Sequence, residues 1–286
     1  MKKTLALILT LALVIACLGS FTACGKTEET TYTIAVPNDT TNEARALLLL
    51  ETLGYITIDA DAGITATISD ITDNPYNLQF SEVEAAQIPN VLQDVDFGII
   101  NSNYAIAADI DPMTEALAME GSASAYVNIV CVREGNEDTD EAKALAAAVY
   151  SQAVADFITE TYSGSVVSAV DNPGTGYDDT VDYDALAGTT ITIACSPAPH
   201  AEILAVAAEI LAEKDITLDI MEFTDYVQPN TVVESGEVFA NYFQHVPYLD
   251  DFNSENGTHI VSIAGVHVEP MGIYGGKQTS LDVITG

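Results

Sequence analysis

The sequence predicts an α/β protein made of two similar units, and three observations carry this. Strand-like runs alternate with helical stretches along most of the 286 residues, which argues for a largely parallel sheet covered by helices. A strand, a proline-containing turn and a helix occur twice, at Thr33-Ile34-Ala35-Val36-Pro37 and at Thr192-Ile193-Ala194-Cys195-Ser196-Pro197. Between the two copies, residues 171–179 are rich in Gly, Pro and Asp and have the composition of a linker.

The N-terminus sets the compartment. Lys2 and Lys3 precede an apolar run at 5–18 that only Thr10 interrupts with a polar side chain. The run is short for a membrane span and suits the apolar region of an export signal. Phe21-Thr22-Ala23-Cys24 follows, then polar residues 25–30. Small residues before a cysteine at this place resemble a bacterial lipobox, in which the Cys24 thiol takes a diacylglyceryl group and cleavage before it frees the amine. A second match at Val14-Ile15-Ala16-Cys17 lies inside the apolar run, so Cys24 is preferred. Residues 1–23 are therefore expected as a lipoprotein signal peptide and 24–30 as a tether.

The elements follow in order. Residues 31–36 alternate as a strand. Residues 37–41 carry turn and N-cap chemistry, and 42–53 read as a helix stopped by Gly54. Strands are expected at 78–83, 96–100 and 125–132, helices at 84–93 and 141–161. Beyond the linker come a strand at 190–195, a Pro-containing turn at 196–200 and a helix at 201–213.

Charge excludes several functions. There are 43 acidic residues against eight Lys plus Arg, a net charge of −35. Such a chain repels nucleic acid and anionic headgroups, so neither is an expected partner. The only arginines are Arg45 and Arg133. Cys131 and Cys195 sit in apolar strand-like runs and read as buried free thiols. Spacing does not establish a disulfide between them, and outside the cytoplasm that alternative stays open.

No nucleophile elbow, phosphate-binding glycine loop or Cys-x-x-Cys occurs, so an enzyme is not expected, nor a cofactor. His200, His245, His259 and His267 lack the helical spacing of a zinc site, and no metal is expected. The acidic run at 250–257 has its glycine misplaced for a calcium loop and reads as a solvated turn.

What remains suits a zwitterion. Arg45 lies one turn into the 42–53 helix, where a guanidinium can grip a carboxylate bidentately with the helix N-terminus adding favourable field. Asn38, Asn42, Asn101 and Asn103 fall near the ends of strand-like runs, where α/β proteins bind ligands. Tyr226, Tyr242, Phe243, His245 and Tyr248 form an aromatic cluster able to line an apolar slot. Spacing alone leaves open a surface ion pair for Arg45 and core packing for the rings.

Several long stretches resemble the MetQ/NlpA methionine-binding lipoproteins. They include Val36-Pro37-Asn38-Asp39 with the helix around Arg45, residues 83–89, and Asn101-Ser102-Asn103-Tyr104. Further on come Pro199-His200-Ala201-Glu202, residues 222–230, residues 240–250 with Phe243-Gln244-His245, and Glu269-Pro270-Met271. The resemblance covers nearly the whole chain after the leader. It implies a two-lobed periplasmic-binding-protein fold, type II-like, with a ligand cleft that closes by hinge motion. It implies methionine or a close relative as cargo, an ABC importer permease as partner, and a lipid anchor holding the protein on the extracytoplasmic face of the cell membrane. Arg45 would bind the carboxylate with help from Asn42, Asn101 would hold the ammonium group, and Tyr226, Phe243, His245 and Tyr248 would surround the thioether. A Met-containing dipeptide or other apolar amino acid, or a surface adhesin role, are the alternatives.

The halves stand in exchanged order relative to that family, which implies a circular permutation. The expected lobes are 31–122, the family's second, and 123–286, its first. Residues 171–188 would be an exposed bridge over the old termini without a packing role. Residues 280–286 would lie near the strand at 31–36.

Overall fold

The computed structural model describes residues 31–121 and 126–286. The expected export signal, Cys24 and the expected tether at 24–30 lie outside the described residues. The first strand, β1 (Thr33–Pro37), is buried from Ile34 onward, as befits a strand covered on both faces. Helix α1 (Thr40–Thr52) starts where the Asp39 carboxylate accepts the Asn42 N–H. It lays Ala44, Leu47 and Leu50 into the core. Strands β2 (Gln79–Val83) and β3 (Phe97–Ile100) pair with β1 in parallel. Asn101 follows β3 directly and leads into α2 (Ser102–Ala107). Strand β4 (Ala116–Met119) then ends this part of the chain.

The chain crosses to a second sheet at β5 (Val127–Arg133). Helices α3 (Asp140–Val149) and α4 (Gln152–Tyr162) and the short β6 (Val167–Ser168) follow. Next come β7 (Thr190–Cys195), α5 (Glu202–Ala212), β8 (Thr217–Glu222) and α6 (Gln228–Glu234). Strand β9 (Ala240–His245), α7 (Val246–Asn256) and β10 (Ile260–Val268) complete it. The strand order is β8-β7-β9-β5-β10-β6. Strands β8, β7 and β9 run parallel, while β5 is antiparallel to both its neighbours. Val130, Leu145, Ile158, Ile193 and Leu204 anchor the core of this side.

The chain then returns. Strand β11 (Gly272–Gly275) inserts antiparallel between β3 and β4, giving the order β2-β1-β3-β11-β4. Each sheet with its helices makes one lobe of a two-lobed α/β fold. Residues 269–286, grouped with the second lobe by the division at 122/123, thus belong structurally with the first sheet. The ladder explains this, since Gly272 pairs with both Ile100 and Met119 and fills a gap no other strand fills. Helix α8 (Asp282–Thr285) continues along the same side, and Ile284, Leu281 and Val283 share an apolar cluster with Tyr32 and Ile34.

Local departures have physical causes. The helix expected at 141–161 is two helices, because the Ser151 hydroxyl caps α4 and the Gln152 N–H bonds Gly174 O. The segment at 84–93 forms only short turns at Ala85–Gln87, Ile88–Val91 and Leu92–Asp94, with Pro89 removing a helix donor. The bridge at 171–188 is not a bare surface loop. Val181 and Leu186 are buried in the main core, and the Tyr177 hydroxyl donates to Ile210 O. Cys131 and Cys195 are free and buried, on β5 and β7 with β9 between them. The acidic run at 250–257 is the second half of α7, ended by Gly257 at φ 65°.

Candidate functional site

Two strands, two helices and a loop meet between the sheets and line one cavity. Asn42 and Arg45 enter from the first turns of α1, and Asn101 from the end of β3. Phe243 and His245 come from β9, Tyr248 from α7 and Tyr226 from the loop before α6. Every residue expected at the site therefore lines one cavity. Of the other asparagines near strand ends, Asn103 lines it, whereas Asn38 is exposed on the turn. Tyr242 points into the main core instead.

The polar end is tightly bonded. Asn42 donates through Nδ2 to Asp39 at 2.8 Å and accepts from Asn101 Nδ2 at 2.8 Å. Asn101 Oδ1 is buried and has no hydrogen-bond partner among the described residues. Burial of such an acceptor is costly unless something pairs it. Arg45 is 4% exposed. Its Nε donates to Glu120 Oε1 and Oε2 at 2.8 and 2.9 Å, and its Nη2 to Glu120 Oε2 at 2.6 Å and to the Glu269 carbonyl at 2.7 Å. The guanidinium carbon lies 4.4 Å from the Tyr126 ring centroid. The bidentate edge of the guanidinium thus belongs to Glu120, in neither a surface ion pair nor an open fork.

The apolar end is a group of rings. Tyr226 stands 5.9 Å from Phe243 and from Tyr248, and Phe243 stands 5.9 Å from Tyr248, centroid to centroid. The Tyr226 hydroxyl donates to Asn103 Oδ1 at 2.7 Å, which fixes its tilt. His245 Nδ1 accepts the Tyr248 N–H, so the ring caps α7 and presents Nε2 as its N–H. Burial first, then the Arg45 charge, holds its pKa well below the usual histidine value, so it is neutral.

Sequence reasoning missed Glu120, Glu269 and Asn128. Asn128 interrupts the apolar run of β5, a signal available beforehand because a lone amide in a buried strand needs a partner. Its Oδ1 lies 2.9 Å from His200 Nε2. Glu269 Oε1 lies 2.7 Å from His267 Nε2 and 3.4 Å from His200 Nε2. Burial lowers the His200 pKa to about 4 and the His267 pKa to about 3, and raises that of Glu269. These three are the one group of potential metal ligands among the described residues. Ligands of a tetrahedral zinc ion sit about 3.3 Å apart, given Zn–N near 2.0–2.1 Å. The His267–Glu269 contact is shorter, a hydrogen bond rather than a ligand spacing, and the Tyr242 hydroxyl bonds the other His267 nitrogen.

Two lobes, a polar pair at one end of a cleft and an aromatic group at the other define a small-ligand binding protein. The chain belongs to the NlpA lipoprotein family, whose model matches residues 29–170 and 191–285. It is 42% identical over 135 residues to the membrane lipoprotein TpN32 of Treponema pallidum, covering 47% of this chain and 50% of that protein. It is 37% identical over 136 residues to the D-methionine-binding lipoprotein MetQ of Yersinia pestis, with shares of 47% and 50%. The chain spans about half the length of the curated relatives it matches. Among solved structures, a nutrient-binding protein from Burkholderia cenocepacia bound to methionine is 45% identical, with a TM-score of 0.47 over 48% of this chain and 58% of that one. No helix among the described residues is long and apolar enough to cross a membrane.

Proposed function

We propose that this chain is a lipid-anchored substrate-binding protein that takes methionine or a close relative in its cleft and delivers it to an ABC importer. One observation carries the reading: Asn101, whose buried Oδ1 has no partner among the described residues, lines the same cavity as Arg45 and the Tyr226, Phe243 and Tyr248 rings. An α-ammonium group supplies the donor Asn101 lacks, a carboxylate meets Arg45, and a thioether is a favourable neighbour for aromatic rings. His245, neutral and fixed by its cap, offers Nε2–H beside the slot. The name of the Yersinia relative points the same way. The leader-like segment and Cys24 support an anchor on the extracytoplasmic face of the cell membrane, and the importer reading implies a permease as partner.

We also propose that the two halves are circularly permuted relative to the family. The packing of 281–284 beside Tyr32 and Ile34 supports this, because it keeps the present ends near one another. Calorimetric titration of the purified protein with the amino acids and Met-containing dipeptides tests the cargo. One-to-one binding of methionine is expected. Heat from a dipeptide alone would reassign the cargo, and silence throughout would overturn the transport reading.

A further inference from the structure

Arg45 has five N–H groups, and the cleft uses three of them before any cargo arrives. The Nε hydrogen goes to Glu120, and the two on Nη2 go to Glu120 Oε2 and the Glu269 carbonyl. Among the described residues no hydrogen bond engages Nη1, so Nη1 is the nitrogen left for a ligand. Glu120 is itself held. Its N–H donates to Met271 O at 2.9 Å, and its Oε2 accepts the Met271 N–H at 2.8 Å. Those two residues stand on the two crossings between the lobes, so one carboxylate ties α1 to both crossings.

The charge balance follows. At the polar end one guanidinium faces Glu120, paired at 2.6 Å, with the Glu269 carboxylate nearby and its histidine neighbours uncharged. A simple carboxylate entering here would add negative charge to a guanidinium already neutralised, away from water where such charge is costly. A zwitterion brings its own positive charge and a donor for Asn101 Oδ1. We infer that Glu120 is a specificity-determining residue: by neutralising and orienting Arg45, it makes the cleft select zwitterionic amino acids over carboxylates that lack an ammonium group. Selection by an unfavourable element built against the wrong ligand is a general device. The inference rests on the amino-acid reading of the site.

Three ligands resolve it by calorimetry: methionine, its des-amino analogue 4-(methylthio)butanoate, and methionine methyl ester. In the wild-type protein the ester should lose less affinity than the des-amino acid, since the ammonium is the stronger handle when Arg45 is neutralised. In Glu120→Gln the preference for methionine over the des-amino acid should narrow by about tenfold or more, through tighter binding of the anion. Glu120→Asp, which keeps the charge, should keep the preference. A purely structural role would weaken all ligands in parallel and leave the ratios unmoved. Unchanged ratios in Glu120→Gln, or a wild-type protein that favours the des-amino acid over the ester, would overturn the inference while leaving the cargo reading intact. A wild-type protein that binds none of the three would instead sink the cargo reading and this inference with it.

Discussion

Asn101→Ala separates binding from folding more cleanly than any other change at the site. Among the described residues Asn101 makes one side-chain bond, to Asn42 Oδ1 at 2.8 Å, and buries one unpaired acceptor. Alanine removes both. The lost bond is worth about 0.5–1.5 kcal/mol, and the orphan removed at Asn101 is replaced by one at the buried Asn42 Oδ1, so the net loss of stability stays near that of the bond. For a chain of this size that is a thermal shift of about 4 °C or less. With methionine bound, Asn101 Oδ1 accepts from a charged ammonium, and hydrogen bonds to charged groups contribute about 1.5–3 kcal/mol. Methionine affinity should therefore fall about 10- to 150-fold. Titration calorimetry and differential scanning calorimetry on the same preparation read both quantities. Affinity within about threefold of wild type would refute the ammonium role. A large drop in thermal midpoint would refute the claim that the residue is held for ligand rather than for fold.

Arg45→Ala should abolish measurable amino-acid binding, because truncating one partner of a desolvated charge pair costs about 2–5 kcal/mol. Arg45→Lys should also weaken it, since an ammonium cannot hold Glu120 and the Glu269 carbonyl together; wild-type titration curves for either variant would count against the site. Stability should fall as pH drops below 6.5, the ordinary histidine value, because the unfolded chain takes up protons that buried His200 and His267 refuse until about pH 4 and 3. Glu269, with its carboxyl pushed up by burial, works in the opposite sense, and buried His245 adds to the fall, so the double variant H200Q/H267Q should reduce the drop in thermal midpoint between pH 7 and 5 to what His245 contributes; an unchanged slope would show that these two histidines are not its source. Cys24→Ala should release the protein from membranes, because the diacylglyceryl anchor supplies two chains; retention in the membrane fraction of expressing cells would disprove that anchor.

Much of this was legible in the sequence where one local signal dominated. Helix α1 was readable because Asp39 caps it, Leu47 and Leu50 keep helical spacing, and Gly54 follows at φ 80°. The site residues came from resemblance rather than pattern, since nothing local distinguishes Asn101 from Asn38, yet one is buried in the cleft and the other is exposed. Glu120 was invisible because its role is a pairing with Arg45 across 75 residues, in a chain with 43 acids to choose from. Glu269 stood inside a family-like motif, but its importance lies in convergence with His267, two residues earlier on β10, and with His200 from the turn after β7. The break at Ser151 was missed because a serine inside an apolar helical run is tolerated unless something outside competes for the backbone, and here Gly174 O does. Val181 and Leu186 were overlooked because the surrounding Gly, Pro and Asp dominate the composition of the bridge, while burial is decided by two side chains.

The central claim is that one cleft holds both ends of a methionine molecule, and a crystal structure of the protein grown with methionine measures that directly. It should place the carboxylate on Arg45 Nη1 with Glu120 still on Nε and Nη2, the ammonium within hydrogen-bond reach of Asn101 Oδ1, and the thioether among Tyr226, Phe243 and Tyr248. Methionine bound elsewhere, or bound in the cleft with its ammonium away from Asn101 and its carboxylate away from Arg45, would contradict the account.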